Sequence, residues 1–166
     1  MKKNSIRIIA LVLVAATFAI FMSSCSKSIG ATVTVSLSDE YCAFKRAQDP
    51  SFTPPKQNVV MSTMVDIIVE DGEDMNGIRV LSEACAMRDL KMTAGATDPT
   101  SIGTYSEFRY DPSTDTPVEG YDTPLYFYWQ MYVNGEKAAS TSAATIINDG
   151  DNVEFKFTYI ASKTTA

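Results

Sequence analysis

The stretch YFYWQMYVNG, residues 126–135, holds five aromatic side chains in its first seven positions and ends in Asn134-Gly135. Successive side chains of a β-strand point to opposite faces, so a strand here has one mainly apolar face and one face rich in tyrosine. Asn134-Gly135 predicts a tight turn after the strand, because both residues tolerate positive φ. The apolar face consists of Phe127, Trp129, Met131 and Val133, and the tyrosine face of Tyr126, Tyr128, Gln130 and Tyr132.

Other segments also have strand character. Residues 31–37 and 153–159 alternate apolar and polar side chains and predict the first and last strands. Residues 59–70 are rich in β-branched residues and predict the second strand. Residues 101–110 and 141–147 are further predicted strands.

One helix is predicted over residues 78–92, where Leu81 and Cys85 belong to an apolar stripe at helical spacing. Asp74 and Asn76 are its candidate N-caps. Residues 38–58 are less regular: the Pro-Pro pair near their end predicts a loop, and the part before it is compatible with either a short helix or an extended piece.

The element order is therefore two strands, a helix, and three or four more strands. This order predicts a single α+β domain over residues 31–160, with a mixed sheet and one helix packed on one face. A helix that crosses after the second strand is the β-grasp arrangement. Residues 161–166 are predicted to be a frayed tail.

The chain begins with a basic flank, an apolar run over residues 8–22, and Cys25 shortly after it. The run is short for a membrane-spanning helix and is typical of a secretion signal. Phe-Met-Ser-Ser-Cys at residues 21–25 resembles the lipobox of bacterial lipoproteins, in the relaxed form of the Bacteroidetes. The resemblance implies a signal peptide over residues 1–24, lipids on Cys25, and a lipidated linker over residues 25–30. An ordinary signal peptide and an uncleaved anchor are the alternatives.

The predicted location is the bacterial outer membrane, on its periplasmic face or at the cell surface. Ser26-Lys27-Ser28 lacks the acidic run that follows the cysteine in many surface-exported lipoproteins, which favours the periplasmic face. The net charge is −6 and becomes more negative when the basic signal is removed. Nucleic acid is therefore not an expected partner, and membrane attachment is expected through the lipid.

The sequence contains no histidine, which excludes nucleophiles activated by histidine and zinc sites that use it. We predict no catalytic residue, no metal site and no cofactor, and expect that the protein is not an enzyme; hydrolysis by a carboxylate pair stays formally open. Cys42 and Cys85 are either a disulfide, which an exported protein permits, or two separate buried thiols.

The carboxyl-terminal part resembles the transcobalamin-like C-terminal domain family, which includes the small domain that closes the vitamin B12 carriers. The resemblance extends over residues 59–160 and implies that the tryptophan strand lies near a bound corrinoid. The B12 carriers complete their site with a large helical barrel, for which this sequence has no counterpart. The resemblance rests on Tyr128-Trp129-Gln130, Val133-Asn134-Gly135, Asp149-Gly150-Asp151 and the alternation of Val153, Phe155 and Phe157.

A half-open tyrosine face is favourable for binding, because tyrosine combines a flat apolar ring with a polar tip. We predict a lipid-anchored envelope module that binds a small planar ligand, such as a corrinoid, in outer-membrane uptake. The alternative is a structural lipoprotein that binds a protein or a glycan through this face. Tyrosines that merely satisfy strand propensity, or that are covered by residues 38–58, would have no such role. The predicted ligand-binding residues are Tyr126, Tyr128, Trp129, Gln130 and Tyr132.

Overall fold

The computed structural model describes residues 26–70 and 72–161. The predicted signal peptide, Cys25 and residues 162–166 lie outside the described residues. None of the helices in the described ranges is long and apolar enough to cross a membrane. The elements in chain order are β1 Lys27–Leu37, α1 Asp39–Gln48, a 3-10 turn Lys56–Asn58, β2 Val59–Val69, α2 Gly77–Met87, β3 Met92–Ala94, β4 Pro99–Ile102, β5 Tyr105–Ser106, β6 Phe108–Tyr110, β7 Leu125–Val133, β8 Glu136–Lys137 and β9 Asn152–Ala161.

The central sheet has the strand order β2-β1-β9-β7-β6, and β8 pairs with β7. β1 and β9 are parallel neighbours at its centre, whereas the other pairs are antiparallel. A small antiparallel sheet contains β3, β4 and β5. This mixed sheet, with its helices placed between strands along the chain, agrees with the predicted α+β class.

One face of the central sheet forms the core. Phe127, Trp129 and Met131 are at most 3% exposed, whereas the tyrosines between them are only partly buried. Both helices pack on this core face: the Phe44 ring of α1 lies 4.8 Å from that of Phe127, and Leu81 of α2 is fully buried in the same cluster. The predicted division of β7 into a core face and a tyrosine face is confirmed. We call the opposite side of the sheet the outer face.

The prediction of one helix is wrong, because α1 is a second helix within residues 38–58. The Ser38 hydroxyl caps it by accepting a hydrogen bond from the Tyr41 N–H at 3.1 Å. Acidic side chains in the first turn and basic ones in the last turn complement the helix dipole. Three side chains, Tyr41, Cys42 and Phe44, are buried. This apolar stripe is too short to be recognised by its period.

α2 begins where the sequence predicts. Asn76, one of the two candidate caps, accepts a hydrogen bond from the Arg79 N–H at 3.0 Å. The helix ends at Met87, earlier than predicted, and Asp89 has a φ of 53°. Leu81 and Cys85 are buried as expected.

The strand predictions need three corrections. β1 starts at Lys27, so residues 27–30 of the predicted linker belong to the sheet, where they pair with residues 66–69. Residues 141–147 form turns with one isolated bridge, from Ile146 to Asn76, instead of a strand. Residues 101–110 are divided among β4, β5 and β6, because Gly103 has a φ of 60° and turns the chain.

The predicted turn after β7 is confirmed. Asn134 and Gly135 have φ values of 52° and 84°, and they join β7 to β8 in a two-residue hairpin. The Asn134 side chain donates to Asp151 Oδ1 at 2.7 Å and accepts from the Asn152 N–H at 2.9 Å. The two turn motifs that carried the family resemblance are therefore in contact.

Cys42 and Cys85 are buried free thiols, so the disulfide alternative is not present in the structure. Each cysteine lies on a different helix, and each packs into the core as a small apolar side chain. Burial raises the pKa of the Cys85 thiol from its ordinary value of 9.0 to about 11.

This pKa predicts a loss of stability at alkaline pH. Above pH 9 the unfolded chain loses the Cys85 proton while the folded chain keeps it, so the unfolded state is favoured as the pH rises from 9 to 11. The stabilisation is fully present below pH 9. Melting temperatures measured across this range should fall less steeply for Cys85→Ala than for the unsubstituted protein, each compared with its own value at pH 7. Equal slopes would contradict the prediction.

Candidate functional site

The outer edge of β7 is paired at its two ends and open between them. Within the described chain, β6 pairs with residues 125–127 and β8 with residues 132–133. A cavity of about 380 Å³ lies at this gap, and we call it the β7 cavity. Its lining includes Glu107, Tyr126, Tyr128, Trp129, Gln130 and Lys137.

Two tyrosines form a flat wall in the β7 cavity. The rings of Tyr126 and Tyr128 are parallel within 6°, with centroids 6.0 Å apart, because the two residues are neighbours on one face of the strand. The Tyr126 hydroxyl donates a hydrogen bond to Glu107 Oε2 at 2.9 Å. This contact fixes the ring and places a carboxylate at the end of the wall.

Both tyrosine hydroxyls remain protonated at neutral pH. Burial raises the pKa of Tyr126 above its ordinary value, and the hydrogen bond and negative charge of Glu107 raise it further. Burial, followed by the nearby Tyr132, raises the pKa of Tyr128. The wall therefore presents neutral hydroxyl groups beside aromatic surface, which is suited to hydrogen bonding with a polar ligand rim.

The backbone of Trp129 contributes polar groups to the same cavity. The Ala138 N–H donates to the Met131 carbonyl across the outer edge at 3.0 Å, whereas the Asn134 N–H bonds to Asn152 O on the β9 side. Because backbone groups alternate along a strand, the N–H and C=O of Trp129 are also turned toward the outer edge. An incoming amide group could pair with them as a neighbouring strand would.

The structure brings together four of the five predicted ligand-binding residues. Tyr126, Tyr128, Trp129 and Gln130 all line the β7 cavity. The Trp129 indole is only 3% exposed and donates to the Tyr105 carbonyl at 3.3 Å, so its ring belongs to the core and not to the tyrosine face. Tyr132 lies elsewhere.

Tyr132 lines a second cavity of about 460 Å³, which we call the α1 cavity. Lys156 lies above its ring, with Nζ 5.0 Å from the centroid, and is ion-paired with Glu154 at 3.3 Å. Across the cavity, the Asn58 side chain donates to Asp39 Oδ1 at 2.7 Å.

Sequence reasoning missed the α1 cavity, because its walls come from four separate segments. The one local signal is the pair Gln57-Asn58 after two prolines. Both residues adopt positive φ, 56° and 59°, a conformation that asparagine tolerates better than most residues.

Neither cavity has the composition of a metal centre. Across the described ranges, no group of three or more Cys, Asp or Glu side chains is arranged to hold a metal ion. Both cavities are suited instead to an organic ligand that is held by rings, hydroxyls, amides and carboxylates.

Comparison with known proteins gives three findings. Residues 116–159 match a family described as a domain of unknown function, DUF4430, and this segment contains β7, β8 and most of β9. No curated protein matches the chain. The structure is similar to haptocorrin in complex with Cbi, with 14% sequence identity and a TM-score of 0.44 over 80% of this chain.

The chain spans about a quarter of that haptocorrin chain, of which the match covers 25%. A second similar structure is a "putative metal binding protein" from Ruminococcus gnavus ATCC 29149. It is 16% identical with a TM-score of 0.36, and the match covers 78% of this chain and 96% of that one.

Proposed function

We propose that the protein is a binding module of the bacterial cell envelope that seats one edge of a small planar ligand in the β7 cavity. In this proposal residues 1–24 are removed, Cys25 carries the lipid anchor, and the domain lies at the outer membrane. β1 already begins at Lys27, so the anchor would hold the domain close to the membrane, with Ser26 as the whole spacer.

The observation that carries the proposal is the parallel Tyr126–Tyr128 pair beside the Trp129 backbone. A flat aromatic wall gains contact area from a flat ligand body. The backbone groups of Trp129 and the Glu107 carboxylate provide donors and acceptors for polar groups on the ligand rim. A planar molecule that carries amide groups at its edge fits both features.

A corrinoid is the first candidate, because it is a flat macrocycle with amide groups around its rim. The resemblance of the tryptophan strand and its turn to the transcobalamin-like family supports this choice. The cavity of about 380 Å³ is near the small end of ligand sites. It would seat one edge of a corrinoid, and a second protein surface would cover the rest.

The same proposal assigns the fold to a β-grasp arrangement. Two features support it: the first and last strands are adjacent and parallel at the centre of the sheet, and α2 follows the second strand and packs on the core face. α1 would then be an insertion between β1 and β2.

Calorimetry of the protein with cobinamide tests the proposal. We expect Tyr128→Ala to weaken binding by about tenfold, because it removes one of the two rings that form the wall. Tyr132→Ala is the matched control, since it removes a tyrosine from the same strand and face but from the α1 cavity. Absence of heat at high micromolar cobinamide would remove the corrinoid, and an equal loss in both variants would place the ligand outside the β7 cavity.

A protein or glycan partner on the outer face is the second candidate function. The α1 cavity favours it, because an aromatic ring, carboxylates and an amide surround one polar groove. In this case Tyr132→Ala should reduce co-purification of the partner more than Tyr128→Ala does. The reverse order would favour the β7 cavity.

A further inference from the structure

β2 is a long strand at one edge of the central sheet. Among the described residues it pairs with β1 and with no strand on its other side. On β1, the N–H groups of Gly30 and Thr32 bond toward Asp149 and Asp151, away from β2. The odd-numbered residues of β1, and their odd-numbered partners on β2, therefore make the β1–β2 ladder.

The even-numbered residues of β2 turn their backbone groups to the free edge. Ser62 shows this directly, because its carbonyl accepts a hydrogen bond at 3.0 Å from Arg88 Nη2 and not from β1. The N–H and C=O groups of Met64, Asp66 and Ile68 follow the same alternation. They form a row that is ready to pair with another strand.

The usual protection of an edge strand is weak here. Natural edges are blunted by lysine, proline, bulges or short length, whereas β2 has 11 residues and contains neither lysine nor proline. Met64 and Ile68 are each 70% exposed, the highest values among the large hydrophobic side chains described. The single charge, Asp66, is engaged by the Ser28 hydroxyl.

We propose that β2 pairs antiparallel with β2 of a second copy of this protein, so that the two central sheets join across a two-fold axis at Met64. A two-fold contact uses the same surface on both copies. With the axis at Met64, the two Met64 residues oppose each other and Asp66 opposes Ser62 of the second copy.

This register is complementary in charge. The guanidinium of Arg88 sits at the Ser62 carbonyl and is exposed, so each Asp66 carboxylate meets an Arg88 of the other copy. A carboxylate and a guanidinium form a charge-assisted hydrogen bond. Two such pairs flank the apolar Met64 contact.

The neighbouring registers are worse. An axis at Asp66 sets two carboxylates directly opposite each other, and an axis at Ile68 sets Asp66 against Glu70; like charges in that position destabilise a sheet. An axis at Val65 sets Met64 against a carboxylate. An axis at Ser62 brings the two Arg88 guanidinium groups together.

Cysteine cross-linking of the full chain in membranes tests the pairing. In Met64→Cys, the two Cα atoms would lie about 5.5 Å apart, within the range that a disulfide bridges. Ile68→Cys is the matched control, because it is equally exposed on the same face. Its two copies would be about 26 Å apart, eight strand positions of about 3.3 Å each.

We expect a disulfide-linked dimer for Met64→Cys at least tenfold above that for Ile68→Cys and for the unsubstituted chain. Asp66→Arg in the Met64→Cys background should reduce the dimer severalfold by placing an arginine beside Arg88, and adding Arg88→Asp should restore it. Equal cross-linking at both positions, no dimer at Met64→Cys, or a cross-link to a different protein would overturn the proposal. Cobinamide binding in the β7 cavity is measured independently of this edge.

Discussion

Phe127→Ala is expected to lower the free energy of unfolding by about 3–5 kcal/mol, the range for aromatic side chains removed from a core. Phe127 is fully buried and lies between the central sheet and the layer that covers it. Its ring stacks on Phe108 at 4.2 Å and 7° and contacts Phe44 of α1 at 4.8 Å. Removing the ring leaves a cavity whose walls come from three elements, so it cannot collapse easily.

Denaturant unfolding followed by circular dichroism measures this loss. Ile160→Ala is the control, because it removes an aliphatic side chain that is 52% exposed from the neighbouring strand of the same sheet; it should change the free energy of unfolding by no more than about 0.5 kcal/mol. A loss below about 1 kcal/mol for Phe127→Ala would show that Phe127 is not at the centre of the core.

Gly77→Ala is expected to lower the free energy of unfolding by about 1–3 kcal/mol through overpacking. Gly77 is the first residue of α2, and a Cβ atom there would lie 2.5 Å from Met131 Sδ and 2.9 Å from the Ser142 carbonyl oxygen. Met131 could change its rotamer, but the backbone oxygen could not. α2 would have to move away from β7, although alanine is otherwise the better helix former.

Gly30→Ala is the matched control for this substitution. Its Cβ would meet Asp149 Oδ1 at 3.5 Å, an ordinary van der Waals contact, and Gly30 does not need positive φ. Denaturant unfolding of the two variants separates steric crowding at the start of α2 from the general effect of replacing glycine. Equal changes would rule out the close approach of α2 to β7.

Much of the candidate site was predictable from local rules. The two-residue period of a strand sorted Phe127 into the core and Tyr128 onto the tyrosine face. Asn134-Gly135 predicted its turn because few other residues tolerate two successive positive φ angles. Both rules operate within a few residues, so they hold before any neighbouring strand is known.

The division of the predicted residues between two cavities was not predictable. Tyr128 and Tyr132 share a face of β7 but line different cavities, because β6 and β8 pair with the two ends of the strand and leave the middle open. The lengths of those short strands are decided by Gly103, by the loop after β6, and by where the chain turns back. No periodic pattern reports them.

The residues by themselves determined the faces of the strands, the hairpin turn and the start of α2, because each depends on the stereochemistry of a few neighbouring residues. The tertiary structure alone decided that α1 forms, that residues 27–30 join the sheet, that Cys42 and Cys85 remain separate, and that β2 lies at an edge. These features depend on contacts between segments far apart in the chain. For β1 the deciding contact is its pairing with β2, which extends the strand four residues beyond its own apolar alternation.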